Sequence, residues 1–482
     1  MSNTPKNPND QEHNNNNPTN SNPKPPSIYY DIHIPLQESS STFNLQNAVC
    51  SHGLFLMAPN HWDPLSKSLF RPLHLSLSSS AAAASVLIRI SSGQCRDTVL
   101  VRVYGVPCLS PKEKEAVVSQ VRRMLRLSEK EERKVREFNE LHCEAKMVGF
   151  GRVFRSPTLF EDMVKAILFC NCQWPRTLSM AKALCDLQLE LQRCSSTVSV
   201  NSLGNTKSEV ATNRPESFAP GTPAVKESVR KRKMNEIVSK ENAGVVYDSN
   251  DSVIAKVNAA HIANGIQVEG NVVTTLGSST RDEISESSTL GLGLIESSGV
   301  ASKEIVMSIG NFPSPIELAC LDEKYLAKRC GLGYRAGRVS KLAQGVIEGR
   351  IQLDQLEELC EEASLNNYSK VDEKLKEIEG YGPFTRANVL MCLGFYNVVP
   401  SDSETIRHLK QVHGKTTTVK NIQKVVEEMY RRYEPYQFLA YWWEIWNFYE
   451  LHFGKFSEMP SSDYKLITAS NMKIKKTKQR AA

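Results

Sequence analysis

One carboxylate, Asp402, and a hairpin about twenty residues before it, Gly380-Tyr381-Gly382-Pro383, are the residues whose types and spacing could do chemistry. Gly380 and Gly382 permit backbone angles that a β-carbon resists, and they leave peptide N–H groups uncovered, so the turn can hold an anion. Pro383 suits a first helical position, and the helix that starts there points its free donors and positive dipole end outward. Phosphate is the natural occupant of such a turn. Leu375 and Ile378 before it, and Ala387, Val389, Leu390 and Leu393 after it, form apolar stripes that pack two helices together. Each feature has a plainer reading: the turn as an ordinary helical hairpin, and Ser401-Asp402-Ser403-Glu404 as a capping segment in which Ser401 caps a helix and the acids complement its dipole. The combination of anion-holding turn, helix, apolar turn Val398-Val399-Pro400 and carboxylate favours a site over two unrelated punctuation marks.

This order of parts resembles the helix-hairpin-helix (HhH-GPD) DNA glycosylase superfamily, with Asp402 at its catalytic position. Gly331-Leu332-Gly333-Tyr334-Arg335-Ala336, preceded by Asn311-Phe312-Pro313-Ser314-Pro315, is similar to a stretch of the 8-oxoguanine and 3-methyladenine glycosylase branches. Ser156 to Glu161, leading into an expected helix Met163 to Gln173, resembles the family helix whose end reaches into the DNA. The resemblance implies a mainly α (α+β) fold and removal of a base from deoxyribose. That reaction passes through an oxocarbenium-like sugar, so one carboxylate beside the anomeric carbon can stabilise the charge and orient a water. The base must first leave the stack, and damaged bases leave most cheaply. By position, the resemblance makes Gly380, Tyr381 and Gly382 DNA-binding, and assigns Asn171, Tyr334 and Arg335 to insertion at the lesion or contact with the orphaned base. It also implies a monovalent cation on the carbonyls of Lys376, Ile378 and Tyr381.

Two departures from the pattern carry information. Bifunctional members place a nucleophilic lysine where this chain has Phe384, and Lys376 is a poor substitute, so the expected activity is monofunctional and leaves an abasic site. Aromatic residues at that position resemble the 3-methyladenine branch, whereas the Gly331 to Ala336 block leans toward the oxoguanine branch, and the lesion stays open between them. Glu379 replaces a usual proline beside the turn and would repel a phosphate unless it points away. A helix-hairpin-helix protein without catalysis, a bifunctional glycosylase/lyase and a partner-recruiting scaffold remain as alternatives. The partner implied is double-stranded DNA with a damaged base, bound by a monomer and followed by abasic-site repair enzymes.

The elements that must position these residues are read from pattern. Residues 1–27 form a polar, Asn-rich tail expected to be disordered. Alternating segments within 28–108 (Ile28 to Ile34, Ser85 to Ile90, Thr98 to Val103) predict an antiparallel β half-domain. Helices are predicted over Glu113 to Leu125 and Glu129 to Leu141, within a first helical part spanning 109–191. Residues 192–306 lose all periodicity and predict a disordered insertion, 307–457 form the catalytic helical part, and 458–482 a basic tail. The helix after Tyr433-Glu434-Pro435 is dense in aromatic rings, most of them expected in the core and one or two in a base pocket. Net charge is +6, and the basic clusters Arg230 to Lys233 and Lys473 to Arg480 read as nuclear localisation signals or DNA anchors. The 12 cysteines show no paired Cys-x-x-Cys spacing, and none follows Cys392, so neither an iron–sulfur cluster nor another required cofactor is expected. No apolar run is long enough to span a membrane.

Overall fold

The structure, a computed structural model, describes residues 28–75, 85–95, 97–201, 310–361 and 364–472; of 195–201 only the backbone is described. The N-terminal tail, the basic clusters at 230–233 and 473–480, and nearly all of the expected insertion lie outside the described residues.

Five strands, β1 (Tyr29–Pro35), β2 (His61–Asp63), β3 (Ser68–His74), β4 (Ser85–Ser92) and β5 (Thr98–Tyr104), form one antiparallel sheet in the order β1-β5-β4-β3-β2. Ile32 pairs with Val101 and Ile88 with Val103, so the alternating branched residues line one buried face. β3 is buried along nearly its whole length, including Arg71, which bridges to Glu161 at 3.0 Å on helix Leu159–Phe169. Lys165 joins the same carboxylate at 2.7 Å, and this enclosed triad ties the sheet to the helical part.

The remainder is helical. Ser110 and Glu113 form a reciprocal capping box that starts α1 (Pro111–Leu125), and Ser128 caps α2 (Glu129–Leu141). They are followed by α3 (Leu159–Phe169) and α4 (Trp174–Asn201). α3 is shorter than the sequence pattern predicts: it stops at Phe169, and Asn171 takes a left-handed conformation with φ +49°. α4 in turn runs to Asn201, beyond the expected start of the insertion at 192. The chain re-enters at Gly310, where the Asn311 N–H donates to Gln188 of α4 at 2.8 Å and its side-chain amide to Ser85 of β4 at 3.0 Å. The site is then built by α5 (Arg335–Ile347), α6 (Leu365–Lys376), α7 (Pro383–Cys392), α8 (Ser403–His413), α9 (Ile422–Tyr430) and α10 (Gln437–Phe453).

α7 is polarised by its surroundings. Arg126 donates to the Met391 carbonyl at 2.9 Å, Arg155 to that of Cys392 at 2.7 Å and Lys134 to that of Gly394 at 2.9 Å. Three cations thus satisfy the carbonyls at its C-terminal end, where the dipole is negative. Its N-terminal end, at Gly382, receives no side-chain cap.

The segment 458–472 is a correction to the expected basic tail. It folds into two short 3-10 turns, Ser461–Leu466 and Ala469–Asn471, with Tyr464 and Ile467 buried in the main core. Tyr464 packs edge-on against Phe55 at 6.0 Å, so ring burial outweighs the local charge that made this stretch read as a tail.

Candidate active site

Asp402 is itself the N-cap of α8. Its carboxylate accepts the Thr405 N–H at 3.0 Å, and the Asp402 N–H donates back to the Thr405 hydroxyl at 3.2 Å. The capping residue is therefore not Ser401, and the plain reading and the chemical one fall on the same side chain. Thr405 Oγ1 also lies 3.2 Å from the carboxylate and 2.9 Å from the Tyr441 hydroxyl of α10, forming a short chain of hydroxyls that ends on the acid. Burial raises the Asp402 pKa above its ordinary value, against the downward pull of the Thr405 hydrogen bonds.

Asp402 opens into a cavity of about 800 Å³ whose walls come from segments far apart in the chain, from His52 to Asn471. Phe384 from α7 lines it and meets Phe169 edge-on at 6.0 Å. Tyr441, Trp442, Trp446 and Tyr449 of α10 line it as well, more rings than the one or two expected. His52 of the β half-domain lies tilted against Trp442 with ring centroids 4.4 Å apart; burial, then the charge of Arg126, push its pKa down to about 3, so it is a neutral ring. Glu404 adds a second carboxylate, held by the Tyr449 hydroxyl at 2.5 Å. The cavity is thus an aromatic-walled chamber with acids at one side, of a size that encloses a planar ligand.

The hairpin precedes Phe384 directly, at the N-terminal end of α7. Gly380 has φ +89°, and a β-carbon there would come within 2.4 Å of Arg338, so this glycine meets both a conformational and a steric demand. Gly382 differs from expectation: its φ of −67° is open to any residue, and what matters is the empty space around it. The Tyr381 side chain is only 4% exposed, with its hydroxyl on the Met163 carbonyl at 3.0 Å, so this residue anchors the turn to α3 and offers a ligand only its backbone. Glu379 pairs with Lys341 at 2.5 Å, which offsets its charge, and Lys376 is an exposed lysine beside Glu373 at 3.6 Å.

Two of the three carbonyls expected to hold a cation already accept a hydrogen bond. The Ile378 carbonyl accepts the Tyr381 N–H at 3.1 Å, and the Tyr381 carbonyl accepts Arg386 at 3.1 Å, with that guanidinium held by Asp372 at 2.7 Å. Each of these two carbonyls therefore has one lone pair engaged and one left, and a guanidinium already lies beside the turn.

Of the three residues expected at the lesion, two are on the surface. Tyr334 is 55% exposed with the guanidinium groups of Arg335 and Arg338 over its ring at 4.6 and 4.9 Å, and Asn171 is exposed in its left-handed turn. Arg335 is a correction. It is 2% exposed and donates to the carbonyls of Ile167, Cys170 and Asn171 at 3.2, 2.5 and 3.0 Å. It closes the C-terminal end of α3 and holds the Asn171 turn, because the early end of that helix leaves orphan carbonyls that only a multidentate donor can satisfy together. Sequence reasoning missed Arg338, which joins Tyr334 to the hairpin; His52, whose only local signal is its own helix cap; and Lys465, which reaches the cavity from the C-terminal turns.

No family model and no curated protein matches the chain. Among solved structures it is similar to an 8-oxoguanine glycosylase/lyase from Clostridium acetobutylicum in its apo form, at 13% identity over 81% of this chain and 98% of the other, with a TM-score of 0.37. The same enzyme in complex with double-stranded DNA containing cytosine opposite 8-oxoguanine gives 13% identity over 84% and 93%, with a TM-score of 0.42. A 3-methyladenine DNA glycosylase from Archaeoglobus fulgidus gives 15% over 87% and 99%, also at 0.42.

Proposed function

We propose that this chain is a monofunctional DNA N-glycosylase that hydrolyses the bond between a damaged base and its sugar and leaves the strand intact. The observation that carries the reading is the placement of Asp402, held in geometry by Thr405, inside an aromatic-walled cavity that also takes Phe384 from the uncapped start of α7. The hairpin grips a backbone phosphate while the extruded base enters the cavity and stacks against its rings. Asp402, ionised, stabilises positive charge as it develops on the sugar and directs a water to it. Phe384, at the position where a lyase would carry its amine, offers a ring to the base and no nucleophile. Within this reading the protein works as a monomer on duplex DNA in the nucleus, with its basic clusters as address or anchor, and passes the abasic site to other repair enzymes.

Lys465 supports a second reading, because it is a lysine among the residues that line the cavity holding Asp402. Duplexes bearing oxidised, alkylated or deaminated bases, incubated with the protein and then divided between alkali and borohydride, separate the two. The expected result is base loss revealed only by alkali. A borohydride-trapped adduct that disappears in Lys465→Ala would replace hydrolysis with lyase chemistry, and no base loss from any duplex would overturn the enzymatic reading.

A further inference from the structure

Farther along the seam between α8 and α10, His408, His413 and Glu444 converge, with one ligand atom of each within 4.8 Å of the others. His408 and His413 lie on the second half of α8, whose last residue is His413, and Glu444 lies on α10 one turn beyond Tyr441. His408 Nε2 is 3.4 Å from Glu444 Oε1, and His413 Nε2 is paired to the same oxygen. A tetrahedral site with bonds of about 2.0–2.1 Å has ligand-to-ligand edges of roughly 3.3–3.4 Å, so the first separation already equals a coordination edge.

His408 supplies the second observation. Its side chain is fully buried, its Nδ1 has no hydrogen-bond partner, and its Nε2 has only the Glu444 carboxylate at 3.4 Å, too long for a good hydrogen bond. An enclosed imidazole so poorly satisfied is costly, and the partners that ordinarily relieve the cost are a hydrogen bond, a water or a metal. The rings of Tyr441 and Phe448 stand edge-on to it at 6.0 and 5.7 Å, giving the apolar shell in which a metal–imidazole bond is strong. The other oxygen of Glu444 accepts the Tyr430 hydroxyl at 2.6 Å, which orients the carboxylate. His413 and Glu444 are 29% and 21% exposed, so the cluster opens to solvent on one side and leaves an entry path and room for a fourth ligand.

We propose that His408, His413 and Glu444 form a binding site for a divalent transition metal ion, zinc by its preference for two imidazoles and a carboxylate in tetrahedral array. The ion joins α8 to α10 at the end of α8 opposite Asp402, and so holds rigid the helix that carries the acid. This site stands independently of the glycosylase reading, because it rests on metal ligation and not on base excision.

The test uses the full chain, stripped with a chelator and dialysed against zinc chloride, then against cobalt(II) chloride to report ligand type. Wild type is expected to hold one equivalent more than His413→Asn, to unfold at a higher temperature with zinc than without, and to show visible cobalt bands of nitrogen and oxygen ligation for that equivalent. Glu444→Gln should lose the same equivalent. His413 lies at the helix end and is partly exposed, so its replacement preserves the fold even where His408→Ala does not. Equal stoichiometry in wild type and His413→Asn, or cobalt spectra showing thiolate ligation alone, would overturn the site and leave the cluster as a hydrogen-bonded ion pair.

Discussion

Two helices start beside the chemistry of this molecule, and they start in opposite ways. α8 begins with a reciprocal capping box in which Asp402 and Thr405 satisfy each other, whereas α7 begins at Gly382 with no side-chain cap. The four unpaired N–H groups at a helix N-terminus need partners, so an uncapped start facing empty space is available to an outside anion. The capped start has its partner built in, and that partner is the acid proposed to act. In the proposed reading, one terminus is left incomplete to bind and the other is completed by the residue that reacts.

The contrast can be broken most severely at Asp402. Asparagine also caps helices well, so Asp402→Asn should leave the denaturation midpoint nearly unchanged while single-turnover excision falls about 10²–10⁴-fold. Asp402→Ala should lose the same activity and, in addition, about 1 kcal/mol of stability in a denaturant titration. If both variants destabilise equally and excise normally, the residue is a cap alone. At the other terminus, Gly380→Ala introduces a β-carbon into a left-handed turn and against Arg338; a loss of about 1–3 kcal/mol is expected, with weaker DNA binding in fluorescence anisotropy.

The pH dependence sharpens the comparison on the capped side. The folded pKa of Asp402 is raised, so ionisation costs stability as pH rises from the ordinary value of 3.8 through the folded pKa. Excision needs the ionised form, and the acid limb of the rate profile should therefore lie above 3.8. Thr405→Val removes a hydrogen bond that favours the ionised carboxylate and should move this limb to higher pH; Thr405→Ser should restore it. The smallest effect is expected from Gly382→Ser. A serine fits the open space, caps α7 with its own hydroxyl and stabilises the fold by a few tenths of a kcal/mol. By occupying donors meant for phosphate it should weaken DNA binding several-fold, and unchanged binding would show that the hairpin holds no anion.

Much of this was readable in the chain because its causes are local. Apolar spacing over Glu113 to Leu125 marks α1, alternating valines mark β5, and Gly380 permits its left-handed angle whatever surrounds it. Arg335 shows where local reading fails. An exposed Tyr-Arg pair and a Tyr with its Arg turned inward have the same sequence, and the choice was made by the orphan carbonyls at the end of α3, remote in the chain. The C-terminal turns show the same failure, since Tyr464 and Ile467 reveal their role only against Phe55 and the core it belongs to.

By itself the sequence determined three of the five strands, the helices over Glu113 to Leu125 and Glu129 to Leu141, the hairpin, and the carboxylate about twenty residues beyond it, since periodicity and backbone permission act over a few residues. Only the tertiary structure decided that His52, Phe384, Trp442 and Lys465 share one chamber with Asp402, and that His408 and His413 meet Glu444. A chamber and a ligand cluster are relations among elements far apart in the chain, and packing, not local propensity, brings them together.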